Sequence, residues 1–206
     1  MDDLTQLLIE FIKTHRDWAI AVIFITAFGE SLAFVSLLFP GTVLLIAAGS
    51  LMKAGDLPYL PLMAGAILGA VLGDFLSYWI GRRLGGGVAR LWPFTRHPEM
   101  LTGGTRFFER HGGKSVFIGR FSGPIRAVIT LAAGIMGMSH GRFAFATVAS
   151  ALIWAPLLLF AGDVLGRVGE RLFGSGNTVL LVFGGLTLIG VGAAVWAAVH
   201  SARSKP

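Results

Sequence analysis

The sequence predicts an all-α, multi-pass membrane protein with two re-entrant helical hairpins of opposite orientation, about three full transmembrane helices and a cytoplasmic amphipathic connector. Three observations predict this fold class. Of the 206 residues, 54% are hydrophobic and only 14% are charged, whereas a soluble domain carries about 25% charged residues. Several apolar runs approach the roughly 20 residues that cross a bilayer. Two of these runs are interrupted, by Pro40-Gly41 and by Gly123-Pro124, where a helix is expected to break.

The first hairpin and the helix that follows it occupy the N-terminal part of the chain. Residues 4–16 are mixed in character and predict a short interfacial helix. The apolar run 18–39 stops at Pro40-Gly41 and resumes over 42–52. This stretch is short for two full crossings, so it predicts a hairpin that enters and leaves on one side of the membrane. After a short loop, residues 59–80 predict a spanning helix.

The C-terminal part repeats this order of elements. Residues 81–114 form a polar, basic connector punctuated by Pro and Gly. The apolar stretch 115–138 contains the break at Gly123-Pro124 and predicts the second hairpin. Residues 143–161 and 178–199 predict two further spans, and the second of these carries no charge.

The distribution of charge orients these segments. The connector carries seven basic and two acidic side chains, and the tail adds Arg203 and Lys205. Because cytoplasmic loops are enriched in Lys and Arg, the connector and the C-terminus are placed in the cytoplasm. The loop 53–58 and the neutral loop 163–175 are then outside. With this orientation the second hairpin enters from the cytoplasm and the first enters from outside.

An internal repeat agrees with this arrangement. Pro40 is followed by Ala47-Ala48-Gly49, and Pro124 is followed by Ala132-Ala133-Gly134. Each hairpin is followed by a short loop and one spanning helix. Two such units of opposite orientation form an inverted-topology repeat, which is typical of secondary transporters with a site near the midplane at broken helices. The alternative is that the shared tripeptide reflects only the abundance of Ala and Gly.

Arg120 and Arg126 flank the second break in an otherwise apolar setting. A charge at the centre of a bilayer costs about 2.5–3.5 kcal/mol on insertion scales, so such residues face a partner, a cavity or a ligand. A hairpin can direct both side chains toward one centre, and the planar guanidinium suits phosphate because it donates two parallel hydrogen bonds. The two arginines therefore predict a phosphate-binding site. The alternative is that they form structural ion pairs.

Glu30 and Asp74 are the acidic residues that the predicted topology places within the membrane core. Each is a candidate for proton coupling or for a simple counter-ion to an arginine. Glu30 precedes the first break, where water can reach it. Asp74 is a candidate partner for Arg82, two turns further on, or for an arginine of the second hairpin.

Composition excludes several other classes of site. The chain has no cysteine, so it has neither disulfides nor thiolate metal sites. The five histidines lack metal-ligand spacing, and we expect no metal, no cofactor and no catalytic residue. The net charge of +6 arises from basic residues between apolar segments, which argues against nucleic acid and favours the bilayer and anionic lipid headgroups as partners. The acidic start, Asp2-Asp3, does not resemble a signal peptide. The oligomeric state, including a homodimer, stays open.

At both helix breaks and at the four candidate site residues, the chain resembles the DedA family, also called the SNARE-associated or VTT-domain family. The resemblance covers roughly residues 28–160, within a core of about 18–162 and a single membrane domain over 1–206. The matching motifs are Phe28-Gly29-Glu30-Ser31, Phe39-Pro40-Gly41, Gly73-Asp74-Phe75-Leu76-Ser77-Tyr78-Trp79-Ile80-Gly81-Arg82 and Gly119-Arg120-Phe121-Ser122-Gly123-Pro124-Ile125-Arg126. The resemblance implies a multi-pass protein of the bacterial cytoplasmic membrane. It also implies a flippase that moves undecaprenyl phosphate or a phospholipid, with proton or cation coupling.

Two residues depart from the family pattern. Thr42 stands where many members have an acidic residue, and Thr130 stands where many have proline. The first departure puts coupling through that position in doubt. Two alternatives to coupled transport stay open: a lipid-phosphate phosphatase, since arginines also stabilise phosphoryl groups, and an uncoupled scramblase. No nucleophile pattern of a phosphatase is visible, so we expect that the protein is not an enzyme.

Overall fold

A computed structural model describes residues 16–33, 35–36, 41–51, 58–92, 94–122 and 125–173. Over these residues the chain contains helices and no strand, which confirms the all-α prediction. The helices are α1 (Arg16–Ser31), α2 (Gly41–Leu51), α3 (Tyr59–Leu84), a 3₁₀ helix (Gly85–Arg90), α4 (Pro98–His111), α5 (Lys114–Gly119), α6 (Ile125–Ile135) and α7 (His140–Phe173). Within the described ranges, two segments are long and apolar enough to cross a membrane, Tyr59–Arg90 and His140–Val168. The predicted segments 4–15 and 178–199 lie outside the described residues.

Helices α1 and α3 pack closely along their length through glycines of α3. A Cβ on Gly69 or Gly73 would collide with the backbone carbonyl oxygens of Phe24 or Phe28, respectively. The four-residue spacing puts these glycines on one face of α3, and small residues allow backbones to approach in membrane helices. Because the contact advances from Phe24 to Phe28 as α3 advances from Gly69 to Gly73, the two helices run parallel.

Helix α2 packs along α7 in the same manner. A Cβ on Gly162 would collide with the carbonyl oxygen of Ile46, and one on Gly166 would lie 3.0 Å from that of Ser50. These contacts also advance together, so α2 runs parallel to α7.

Helices α3 and α7 run antiparallel to each other. Thr147 donates a hydrogen bond to Asp74, whereas Phe143, one turn earlier in α7, stacks on Tyr78, one turn later in α3. Helix α1 is parallel to α3, and α2 is parallel to α7, so α1 and α2 run in opposite directions. The chain must therefore reverse between Ser31 and the start of α2. The reversal predicted for this region is therefore present, and Gly41 begins its second arm, while Pro40 lies outside the described residues.

The second hairpin consists of α5 and α6. Gly119 packs on Ile129, whose Cδ1 would lie 2.6 Å from an added Cβ, and Val116 joins the cluster that contains Ala133. The earlier residue of α5 thus meets the later residue of α6, so these helices are antiparallel. The stretch predicted over 115–138 is accordingly not one continuous helix, and Gly123 and Pro124 lie between the described ranges.

The two hairpins point their turns toward each other. Val116 clusters with Phe143, and Arg120 bonds to Thr147, so α5 has the direction of α7 and the opposite direction to α1. The repeat also appears in the packing, because the glycine of each Ala-Ala-Gly tripeptide contacts the long helix of the other unit. Gly49 meets α7, and Gly134 meets α3.

Two predicted boundaries are wrong. The loop predicted over 163–175 is helical as far as Phe173, because Gly162 and Gly166 continue the packing on α2 and Asp163 pairs with Arg167 one turn later. The helix in the apolar run 18–39 ends at Ser31, and the described residues 32–33 and 35–36 form turns and bends. At this end the Ser77 hydroxyl donates a hydrogen bond to the carbonyl oxygen of Ser31 and accepts one from the backbone N–H of Ala33. These two bonds replace the intrahelical partners that the last turn of a helix lacks.

Candidate functional site

The two hairpin turns meet α3 and α7 at a pair of buried ion pairs. The first joins Arg120, which follows α5, to Asp74 in the middle of α3, through Nη2 and Oδ2. Arg120 is 3% exposed and Asp74 is 1% exposed. Two polar residues of α7 complete the shell: Arg120 Nε donates to Ser150 Oγ at 2.8 Å, and Nη2 donates to Thr147 Oγ1 at 3.1 Å. Thr147 Oγ1 in turn donates to Asp74 Oδ2 at 2.6 Å.

The second ion pair joins the turns of the two hairpins directly. Arg126 Nη2, at the start of α6, lies 3.3 Å from Glu30 Oε1 and donates to the Glu30 carbonyl oxygen at 2.8 Å. The Thr42 hydroxyl of α2 donates to the same Oε1. Gly41 makes room for this carboxylate, because a Cβ at that position would lie 2.6 Å from Oε2. Thr42 thus donates a hydrogen bond to the Glu30 carboxylate, whereas an acidic side chain at position 42 would repel it.

Trp154 connects the two pairs into one cluster. Its ring lies under both guanidinium groups, with the carbon of Arg126 4.9 Å and that of Arg120 5.6 Å from the ring centroid. Both distances fall within the range of cation–π attraction, which strengthens when the groups are desolvated. We refer to Glu30, Asp74, Arg120 and Arg126 as the ion-pair cluster.

The ion-pair cluster retains hydrogen-bonding capacity. Arg120 Nη1, Asp74 Oδ1 and Glu30 Oε2 are buried and have no hydrogen-bond partner among the described residues. Buried polar atoms are nearly always bonded, so three such atoms at one place suggest a place for water, a proton or a ligand group. No three His, Cys, Asp or Glu side chains of the described ranges lie close enough together to hold a metal ion.

The four charged residues singled out from the sequence are therefore in contact, in the pattern of the ion-pair alternative. Asp74 pairs with the hairpin arginine rather than with Arg82. Arg82 instead donates to the Tyr78 hydroxyl at 3.0 Å and to the Met138 carbonyl oxygen at 2.9 Å. Its side chain faces the loop between α6 and α7, because this loop packs against the end of α3.

Sequence reasoning missed the contribution of α7. Thr147 and Ser150 were not singled out, although small polar residues inside an uncharged span are a usable signal for a buried polar contact. Trp154 lies in the middle of the span, away from the interfacial positions that tryptophan prefers. That position indicated a packed role, and Trp154 is 4% exposed.

These features define a class: a helical membrane protein in which opposed hairpins bring buried arginine–carboxylate pairs together. The VTT domain profile matches residues 39–164, which is more than half of the chain, and the chain belongs to the VTT-domain (DedA) family. No solved structure matches it.

Several curated relatives come from Escherichia coli K12. The chain is 30% identical to the inner membrane protein YabI over 164 residues, 79% of this chain and 64% of YabI. It is 31% identical to protein DedA over 169 residues, 78% of this chain and 75% of DedA. It is 35% identical to the inner membrane protein YghB over 153 residues, 71% of this chain and 68% of YghB. The chain thus spans slightly less than two thirds of the length of YabI.

Proposed function

We propose that this protein is a flippase that moves a lipid with a phosphate headgroup, undecaprenyl phosphate or a phospholipid, across the bacterial cytoplasmic membrane. The observation that carries the proposal is the ion-pair cluster. Two buried arginines flank the turn of the second hairpin, and each pairs with a carboxylate of the other repeat unit. This is where an inverted-repeat transporter is expected to hold an anion.

The location is proposed from the relatives and from helix length. YabI and YghB are named inner membrane proteins. Helices α2 and α6 have 11 residues each, which corresponds to about 16 Å, whereas the hydrocarbon core is about 30 Å thick. These lengths support two re-entrant hairpins in a multi-pass protein. The excess of basic side chains in the connector and the tail supports a cytoplasmic connector and C-terminus.

The mechanism follows from the charge balance of the ion-pair cluster. Two guanidinium groups and two carboxylates sum to zero, so the empty site is neutral. A phosphate that binds the guanidinium forks must displace the carboxylates, and a displaced carboxylate in an apolar setting is costly unless it takes up a proton. Headgroup binding is thereby linked to protonation of Glu30 or Asp74. Release of the lipid on the other side returns the carboxylates to their arginines.

The test is lipid transport in proteoliposomes that contain purified protein. Arg120→Lys and Arg126→Lys keep the charge but lose the bidentate fork, so we expect transport to fall about tenfold to a hundredfold, nearly as far as in the alanine variants. Arg106→Lys, an exposed position on α4, is the matched control and should transport normally. Full activity of both hairpin variants would remove the argument for phosphate recognition.

Two further measurements separate the alternatives. We propose transport rather than hydrolysis, so purified protein should release no inorganic phosphate from a lipid phosphate. A wild-type protein that moves lipid without any response to an imposed pH gradient would instead be an uncoupled scramblase.

A further inference from the structure

An open groove of about 710 Å³ lies between the end of α4, the helix α5 and the start of α7. Its floor is apolar and is formed mainly by Phe117, Ile118, Phe145 and Ala146. Phe145 is 78% exposed and Ile118 is 44% exposed. Exposed apolar surface of this kind marks contact with a membrane or with another apolar partner.

The rim of the groove is basic. Lys114 begins α5 on one wall, and Arg142 stands near the start of α7 on the other. Both side chains are exposed, and neither lies within ion-pair distance of a carboxylate in the part of the chain that the structure describes. His111 completes the rim. Its Nδ1 donates to the Phe107 carbonyl oxygen at 3.0 Å, which leaves Nε2 for another partner.

We infer that this groove, the α5–α7 groove, binds an anionic phospholipid, with the phosphate between Lys114 and Arg142 and one acyl chain on the apolar floor. The occupant follows from charge complementarity, because an apolar floor with two exposed basic side chains on its rim fits an amphiphile with one anionic end. Anionic phospholipids are the abundant molecules of that chemistry in a bacterial membrane, and basic residues near its surface attract them. Long basic side chains also extend toward headgroups while their stems cover apolar surface.

This inference goes beyond transport, since a lipid bound in the α5–α7 groove need not cross the membrane. The groove and the ion-pair cluster nevertheless share one helix. Lys114 begins α5 and Arg120 directly follows its end, about 9 Å further along the helix axis. Occupancy of the groove therefore acts on the arm of the hairpin that positions Arg120.

The test is photolabelling of the full chain in phosphatidylcholine nanodiscs that contain a minor fraction of phosphatidylglycerol with a photoreactive group in its acyl chain. Adducts are mapped by mass spectrometry. We expect Phe145 and Ile118 to be labelled well above Leu68, an exposed apolar residue on α3 that lies outside the groove. Lys114→Gln and Arg142→Gln should each lower groove labelling about fivefold.

A matched pair of variants controls for net charge. Arg90→Gln and Arg106→Gln remove the same charge from exposed positions outside the groove and should leave groove labelling unchanged, whereas Lys114→Arg should retain it. Three results would each overturn the inference: equal labelling of Phe145 and Leu68, equal labelling by a phosphatidylcholine probe, or labelling only by a polyprenyl phosphate probe. The readout does not depend on transport, so groove labelling that persists in a protein inactive in flipping would count against the proposed function alone.

Discussion

The buried pair between Asp74 and Arg120 predicts an unequal response to one substitution made at two places. Asp74→Asn removes the charge of a carboxylate whose side chain is 1% exposed, opposite an arginine side chain that is also 1% exposed. Asp163→Asn removes a carboxylate that pairs with Arg167, whose side chain is 56% exposed, one turn away on the surface of α7. We expect the first variant to lose far more stability than the second.

The magnitudes follow from burial and geometry. Removing one partner of a buried ion pair costs about 3–5 kcal/mol, because the remaining charge is left uncompensated in an apolar setting. Asparagine retains an oxygen that can accept from Arg120 and from Thr147, so the expected loss for Asp74→Asn is near the lower limit, about 3 kcal/mol. An exposed pair one turn apart contributes about 0.3–0.5 kcal/mol. The double variant Asp74→Asn/Arg120→Gln should recover part of the loss, since it removes both charges.

The assay is equilibrium unfolding of the purified full-length protein by titration with a denaturing detergent, followed by tryptophan fluorescence. Trp154 reports on the ion-pair cluster because its ring lies against both arginines. If Asp74→Asn and Asp163→Asn shift the unfolding midpoint equally, the ion pair does not stabilise the native state. If the double variant shows strict additivity, the two residues are not energetically coupled and the reasoning fails.

Three further predictions concern coupling, helix packing and the basic end of α3. Glu30→Gln should leave the protein folded but abolish the response of lipid transport to an imposed pH gradient, since Gln cannot exchange a proton. If Glu30→Gln retains this response and Asp74→Asn loses it, the proton site is Asp74. Gly69→Ala should destabilise the folded protein by about 2 kcal/mol or more, because the added Cβ would collide with the backbone of α1. Gly103→Ala, in open space on α4, should stabilise it by about 0.5–1 kcal/mol. Shifts of the same sign in the thermal unfolding of the two variants would contradict this prediction. Tyr78→Phe should cost about 1 kcal/mol in the same assay because it loses the hydrogen bond to the loop before α7, and no change would mean that the bond is not formed.

The sequence by itself determined the fold class and the identity of the charged residues of the site. Low charge and long apolar runs leave only helices that satisfy their own backbone groups, and the regular secondary structure of the described ranges is entirely helical. A charge within an apolar run is costly enough that it must have a partner. For this reason Glu30, Asp74, Arg120 and Arg126 could be identified without any knowledge of their contacts.

The sequence also indicated where the chain breaks but not where each helix ends. Proline and glycine mark the interruption near Gly41, yet α1 stops earlier, at Ser31, because Ser77 of another helix bonds to its last turn. The loop expected over 163–175 is helical to Phe173, because Gly162 and Gly166 continue the packing on α2. Such boundaries depend on contacts between segments that are distant in sequence, and no local pattern contains them.

Only the tertiary structure decided which charges pair and what surrounds them. Arg82 and Arg120 were both candidate partners for Asp74, and the parallel course of α5 along α7 brings Arg120 to it. The same packing adds Thr147 and Trp154, whose positions within an apolar span could indicate a buried contact but not its partner. A charge within an apolar run of the sequence indicates that a partner exists. The identity of that partner is set by the direction and register of the helices. These are fixed by close backbone contacts at glycine.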